Sequence, residues 1–444
     1  MSLSVTAYRS YRACRGKPLL APAEEAERRI RRRIGLTYGL LFLNALTFYS
    51  GISILHIPSI VGKGIAQAAL PAALFMALTV NRRLAVRPNV FLCLLCLLIL
   101  GTLITAVEPE TFGTVYRTVR LAGYIITLWL LTPWWGRRDM LLVRCHATVL
   151  AVLLGSMLLG LLVAPGHALP GGRLSGAIWP IPSTQAAHYA AVLTGLVVVL
   201  WFCGHLRGRP TALIVLVTLP ILVLTHTRTA LVGMTAGILI AGLSLITVKA
   251  RVRKLFASAG TIAAVAIMTM SGVITAWLAR GEGSSELYAL TGRTTVWTAI
   301  VTTPRNAFQE IFGFGLTNSS FNGLPIDSNW LASYQEQGLY GVIICAIMLL
   351  FLLITAYFQP RGVQRALALF LVTYCLLASF TEVGFTDVSP YLLELTLAAS
   401  LLIPSTEASM RTLRRSGIAA VLAVAPEGKL HSDGRADDQA ILAG

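Results

Sequence analysis

Apolar stretches of about twenty residues recur along this chain, separated by short breaks rich in Arg, Gly and Pro. They run near 36–55, 64–81, 89–107, 115–135, 141–164, 186–204, 211–227, 229–248, 255–279, 331–358, 366–384 and 387–403. A helix of that length matches the hydrocarbon thickness of a bilayer. The pattern therefore predicts an all-α, polytopic integral membrane protein with about twelve transmembrane helices. A basic tail at 1–35 precedes the membrane domain at 36–403, which is interrupted by a long polar loop at 280–330. Residues 404–444 mix Arg, Ser, Gly, Asp and Ala around one apolar patch, Ile418 to Ala425, and are expected to form a largely disordered tail.

Orientation follows from the basic residues, because Lys- and Arg-rich loop ends stay in the cytoplasm. Arg28 to Arg33 precede the first span; Arg82, Arg83 and Arg87 follow the second; Arg137 and Arg138 the fourth; Arg207 and Arg209 the sixth. Lys249, Arg251, Arg253 and Lys254 follow the eighth, Arg361 and Arg365 the tenth, and Arg411, Arg414 and Arg415 the twelfth. Every second boundary is basic, which places both termini in the cytoplasm and the loops at 165–185 and 280–330 outside. Residues 1–35 are too basic and too weakly apolar for a cleaved signal peptide, so the first span is expected to be retained.

Composition agrees with this class. The chain is 56% hydrophobic and 12% charged, with mean hydropathy +0.73, against roughly 25% charged residues in soluble domains. The net charge of +17 is explained by topology and attraction to anionic headgroups rather than by nucleic acid. Six of the seven cysteines (Cys93, Cys96, Cys145, Cys203, Cys345, Cys375) lie in or beside spans and Cys14 in the tail, so no disulfide is expected and Cys93 with Cys96 reads as packing. No internal repeat is evident, which weighs against a transporter built from duplicated halves.

The candidate chemistry lies in cations that defy the positive-inside pattern, because an arginine within a span needs a partner. Arg117 and Arg120 share a face at the outer turn of the fourth span; Arg173 lies in the 165–185 loop, Arg228 between the seventh and eighth spans, and Arg293 in the long loop. Convergence on a diphosphate is one reading, since guanidinium offers forked donors to phosphate oxygens. Snorkelling, or pairing with Glu108, Glu110, Glu282 or Glu286, is the other.

The polar stretch from Thr291 to Gly341 is where a reaction would occur. Residues 291–303 are expected to form an amphipathic surface helix with Trp297, Ile300 and Val301 along one face, ended by Pro304, and Trp297 reads as an interfacial anchor more than a sugar platform. Gly313-Phe314-Gly315 permits close backbone approach, and Gly338 and Gly341 are expected to let a neighbouring helix pack closely. Asp327 opens the run Asp327-Ser328-Asn329, which is either a helix N-cap or a general base with polar neighbours that position an acceptor hydroxyl. His226 and His188 are placed in the outer half, where they could orient a substrate, while lone histidines such as His56 and His167 are more often structural. No spacing implies a bound metal or a cofactor, and no nucleophile motif supports a hydrolase.

These residues together resemble the bacterial O-antigen ligase/polymerase family of integral-membrane glycosyltransferases. The resemblance covers most of the membrane portion. It rests on Arg173-Leu174-Ser175-Gly176, Thr227-Arg228-Thr229-Ala230-Leu231, Gly292-Arg293-Thr294-Thr295-Val296-Trp297, Gly313-Phe314-Gly315, and Asp327-Ser328 followed by Gly338-Leu339-Tyr340-Gly341. It implies a GT-C-like helical fold in the bacterial plasma membrane, a polyprenyl-diphosphate-linked oligosaccharide as donor, a glycan or lipid acceptor, and metal-independent inverting transfer on the extracytoplasmic face. Arg173, Arg228 and Arg293 would hold the diphosphate, with Arg117 and Arg120 as further candidates, and Asp327 would be the catalytic residue. The family's ligases commonly carry His where Asp327 stands, and Asp resembles the polymerase-like members, so polymerisation is favoured over ligation. The rival class is a twelve-span transporter or lipid-linked glycan flippase, kept open by Glu382 and Glu394 in or near the last two spans.

Overall fold

The structure, a computed structural model, describes residues 22–48, 54, 57–105, 112–137, 139–256, 258, 293–317 and 319–403. The expected ninth span at 255–279 falls almost wholly outside these residues, as do Arg138, Gly292, Glu108, Glu110, Glu282 and Glu286, and the tail at 404–444. The first helix runs from Pro22 to Ala45, so it takes in part of the basic segment expected as a tail and only the first half of the stretch at 36–55, and each remaining apolar stretch likewise overlaps a helix. In chain order these are α1 (Pro22–Ala45), α2 (Ser59–Val80), α3 (Val90–Thr105), α4 (Phe112–Leu131), α5 (Leu141–Val163), α6 (Ser183–Phe202), α7 (Gly208–Leu224) and α8 (Arg228–Leu245). The polar region contributes α9 (Arg293–Thr302), α10 (Ala307–Phe312) and a small hairpin, β1 (Ser320–Phe321) with β2 (Leu324–Pro325); the chain then runs through α11 (Asn329–Phe358), α12 (Val363–Ala378) and α13 (Pro390–Leu402).

Five of these, α2, α5, α6, α8 and α11, are long and apolar enough to cross a membrane, and α3, α7, α12 and α13 are shorter apolar helices. Their outward faces leave large apolar side chains uncovered, among them Phe75, Leu162, Leu216, Val232 and Leu350. Uncovered apolar surface spread over many helices is what a lipid environment accepts and water does not.

The interior is organised around α12 and α13. Every residue of α13 is buried, and α12 presents Phe370 and Tyr374 to a groove of small residues. A Cβ at Gly195 of α6 would fall 1.8 Å from the Phe370 ring, and one at Gly237 of α8 would fall 2.8 Å from it. Small residues at these points let the aromatic ring lie between two backbones, the usual means of close packing in a bilayer.

α11 is interrupted. Gly338 has φ 62° and ψ −160°, which breaks the helical ladder and frees carbonyls that the preceding loop then satisfies. The Phe314 amide donates to the Gln335 carbonyl at 3.0 Å and the Gly315 amide to the Glu336 carbonyl at 2.9 Å. The Gly313-Phe314-Gly315 segment thus does allow close backbone approach, toward the broken helix. Gly338 has the same function, since a Cβ there would lie 2.4 Å from the Ile311 carbonyl oxygen. Gly341 differs from expectation: it makes room for its own helix's Gln337 side chain, 2.4 Å from where its Cβ would be. Gly338→Ala should destabilise the protein by about 1–3 kcal/mol, the usual scale of left-handed strain in a non-glycine residue. A thermal unfolding midpoint in detergent equal to that of the parent would refute that assignment.

Candidate functional site

The Arg173 loop, the α7–α8 turn, the start of α9, the Asp327 approach to α11 and the α12–α13 connection come together at one end of the bundle. The Leu174 amide donates to the Leu224 carbonyl at 3.0 Å, tying the loop to the end of α7. Arg173 Nε then donates to the Thr225 carbonyl at 3.1 Å, and its Nη2 approaches the Thr227 hydroxyl at 3.5 Å. His226, between those threonines, adopts φ 51°, the left-handed conformation that lets α7 turn sharply into α8. Arg228 is the first residue of α8, and Thr229 beside it shares a hydrogen bond of 2.7 Å with the Thr381 hydroxyl. This contact brings Glu382 to the same place.

Opposite, Arg293 begins α9 and its Nε donates to Asp327 Oδ2 at 3.0 Å, with the two side chains 27% and 41% exposed. Asp327 is therefore engaged with a cation and does not cap α11. The N-cap is Ser328, whose side chain makes no capping hydrogen bond. Electrostatics join the two halves. Burial pulls the Arg173 guanidinium below its usual range, with Glu382 opposing and Arg293 adding to the effect. Burial, and then the Asp327 carboxylate, push the Glu382 carboxyl up to about 7, against the pull of Arg293 and Arg173. Three arginines against two carboxylates leave an excess of positive charge suited to an anion.

No family model matches the chain, and no curated protein matches it. The site must therefore be judged on its own geometry.

Arg117 and Arg120 have other partners. Arg117 Nη1 donates to the Leu316 carbonyl at 3.1 Å. Arg120 donates to the Asn44 carbonyl at 2.8 Å and lies 3.9 Å from Asp387. These contacts fasten α4 to α1, to the loop after α10 and to the α12–α13 connection.

Asn329 is fully buried; its side-chain Oδ1 accepts from the Gly384 and Phe385 backbone amides at 3.2 and 2.8 Å, and its backbone amide donates to the Ser379 carbonyl. It holds the α12–α13 connection against α11, and Ser328 is buried beside it. Trp297 is half-buried on α9. Ile300 packs with Ile326 and Ala332, while Val301 points away and is 63% exposed. Of the expected face, Ile300 is enclosed by protein, Trp297 is half-buried and Val301 is left uncovered.

Two features have partners that the sequence pattern does not reveal. One is Glu382, visible in the sequence only as an acid near the end of an apolar stretch. The other is a buried network deep in the bundle. His188 Nε2 and His146 Nε2 face Glu394 Oε1 at 2.9 and 3.7 Å, and all three side chains are almost wholly enclosed. Each imidazole's Nδ1 meets a tyrosine hydroxyl, Tyr374 at 2.9 Å for His188 and Tyr38 at 3.0 Å for His146. His188 accordingly serves the interior, joining α6, α12 and α13. Its signal in the sequence was a polar residue inside an apolar stretch, with partners too remote along the chain to name.

Proposed function

We propose that this protein is a membrane glycosyltransferase of the O-antigen ligase/polymerase type, with about twelve spans in a GT-C-like arrangement and both termini in the cytoplasm. It transfers glycan from a polyprenyl-diphosphate carrier on the extracytoplasmic face of a bacterial plasma membrane, and polymerisation is favoured over ligation. The observation that carries this reading is the meeting of Arg173, Arg293 and Asp327 with the Arg228 end of α8.

The leaving group is a diphosphate, on which negative charge develops as the glycosidic bond breaks. Preorganised guanidinium groups stabilise that charge without reorganising. The start of α8 assists, because the positive end of its helix dipole favours an anion. Asp327, held by Arg293 Nε at 3.0 Å, positions the acceptor hydroxyl. Arg117 and Arg120, already fastened to Leu316, Asn44 and Asp387, are assigned a supporting place and not the diphosphate.

Two observations favour the transport reading as the alternative: the break in α11 at Gly338 and the enclosed Glu394, since broken helices and interior acids mark ion and substrate pathways. Full-length protein in proteoliposomes separates the readings. With a polyprenyl-diphosphate glycan as sole donor, the transferase reading expects lengthened product, equally with and without chelator. A ladder identifies a polymerase and a single block transfer a ligase. Movement of intact glycolipid between leaflets with no new glycosidic bond would instead establish a flippase.

A further inference from the structure

We infer that the end of α6 and the helical turn after α8 form a binding site for the phosphate headgroup of an anionic phospholipid, a function that goes beyond the transferase reading and does not depend on it. An open cavity of about 620 Å³ lies there, lined by Trp201, Ala250, Arg251, Lys254, Leu255 and Ser258.

The local sequence builds this site. Residues 250–256 and 258 are helical, and positions 251, 254, 255 and 258 follow the i, i+3, i+4, i+7 spacing, so Arg251, Lys254, Leu255 and Ser258 share one face. The other face holds the turn to the bundle. Val252 is fully buried, and the Phe256 ring occupies the space over Gly242 of α8, which a Cβ there would strike, and meets Phe202 edge-on with ring centroids 6.4 Å apart. The face that carries the cations is thereby turned outward and held.

Trp201 sets the depth. It is the penultimate residue of α6, one of the helices long enough to cross a membrane, so its ring lies where bilayer meets water, the level that Trp favours. The Arg251 guanidinium carbon stands 5.6 Å from the centroid of that ring, and its Nη1 donates to the Trp201 carbonyl at 3.3 Å. A guanidinium has five N–H donors and this contact uses one, so the fork is oriented with donors to spare. Lys254 is exposed one turn further on. No Asp or Glu stands between Asp139 and Glu282, so no acid near in sequence neutralises the pair. The Ser258 hydroxyl is turned back onto the Leu255 carbonyl at 3.0 Å, which leaves recognition to the two cations.

The walls choose the ligand. Trp201, Ala250 and Leu255 give an apolar side and Arg251 with Lys254 a cationic one, which suits a phosphate carried on an acylated glycerol. A free phosphate gains nothing from the apolar side.

The test uses the full-length protein in phosphatidylcholine nanodiscs doped with brominated phosphatidylglycerol or, in a parallel set, brominated phosphatidylcholine. Quenching at Trp201 is the difference between the parent and Trp201→Phe. The anionic lipid should be preferred by roughly fivefold for each cation. Lys254→Gln should lower that preference about fivefold and Arg251→Gln with Lys254→Gln should remove it, whereas Arg82→Gln with Arg83→Gln, an equal loss of charge at another basic boundary, should leave it. Added inorganic phosphate should not relieve the quenching. Equal quenching by both lipids in the parent, a preference that survives the Arg251 and Lys254 substitutions, or one lost equally with Arg82 and Arg83 would overturn the proposal; relief by inorganic phosphate would overturn the choice of a lipid. Should the paired variant fail to fold, Lys254→Gln, at an exposed position, decides alone. Should Trp201→Phe fail, phosphatidylglycerol retained by the detergent-purified parent and Lys254→Gln, counted by mass spectrometry, decides in its place.

Discussion

Replacing Arg173 with Ala should lower kcat/KM for transfer from a polyprenyl-diphosphate glycan by about 10²–10³-fold, the usual loss when one preorganised donor to a developing anion is removed. Arg173 is half-buried between the Thr225 carbonyl and the Thr227 hydroxyl, so its fork is oriented before any substrate arrives. Arg173→Lys should recover little, because an ammonium cannot occupy both contacts and still present a donor edge to phosphate. Initial rates in proteoliposomes measure the effect, with the unfolding midpoint of each variant as a control for global damage. A rate within threefold of the parent at unchanged stability would mean that Arg173 supports the loop and nothing more.

The second large effect concerns the interior. Glu394→Ala should destabilise the protein by about 3–5 kcal/mol, because removing one member of an enclosed polar set strands the others. His188 Nε2 would lose its partner at 2.9 Å, and Cys375 Sγ, now 3.6 Å from the other carboxylate oxygen, would lose its acceptor. Replacing the whole set with apolar groups of similar size, Tyr38→Phe, His146→Phe, His188→Phe, Tyr374→Phe and Glu394→Leu together, should recover much of that loss. Thermal unfolding in detergent reads both. A single Glu394→Ala variant as stable as the parent would show that the network is not under that constraint.

How far the sequence carried depends on distance along the chain. Helix positions were legible because each apolar stretch declares itself locally, and all those within the described residues fall on helices from α1 to α13. The nearness of Arg173 and Arg293 was legible as well, through a topology that put both loops on one side. Partner choice was not. Arg117 and Arg120 share a face with each other, but what separates them from Arg173 is the position of Asn44 and Asp387, which no local pattern records. The run from Asp327 allows a cap or a base, because Asp, Ser and Asn all favour a cap; pairing with Arg293 engages Asp327, and the cap falls to Ser328. Glu382 and Glu394 were seen as misplaced acids, and only the meeting of remote helices shows one to belong to the site and the other to the core. The break in α11 was similarly hidden, since a single glycine in an apolar helix does not announce a left-handed conformation until a neighbouring loop is found pressing on it.

The central claim is that arginines from separate segments jointly hold a diphosphate. The most direct measurement is binding of polyprenyl diphosphate and polyprenyl monophosphate to the full-length protein in nanodiscs, for the parent and for Arg173→Ala, Arg228→Ala, Arg293→Ala and Arg120→Ala. The account predicts that the parent prefers the diphosphate by roughly tenfold or more, the worth of one or two charge-assisted hydrogen bonds, that each of the first three variants loses the preference, and that Arg120→Ala keeps it. Equal binding of the two lipids by the parent, or a preference that survives all three substitutions, would contradict it.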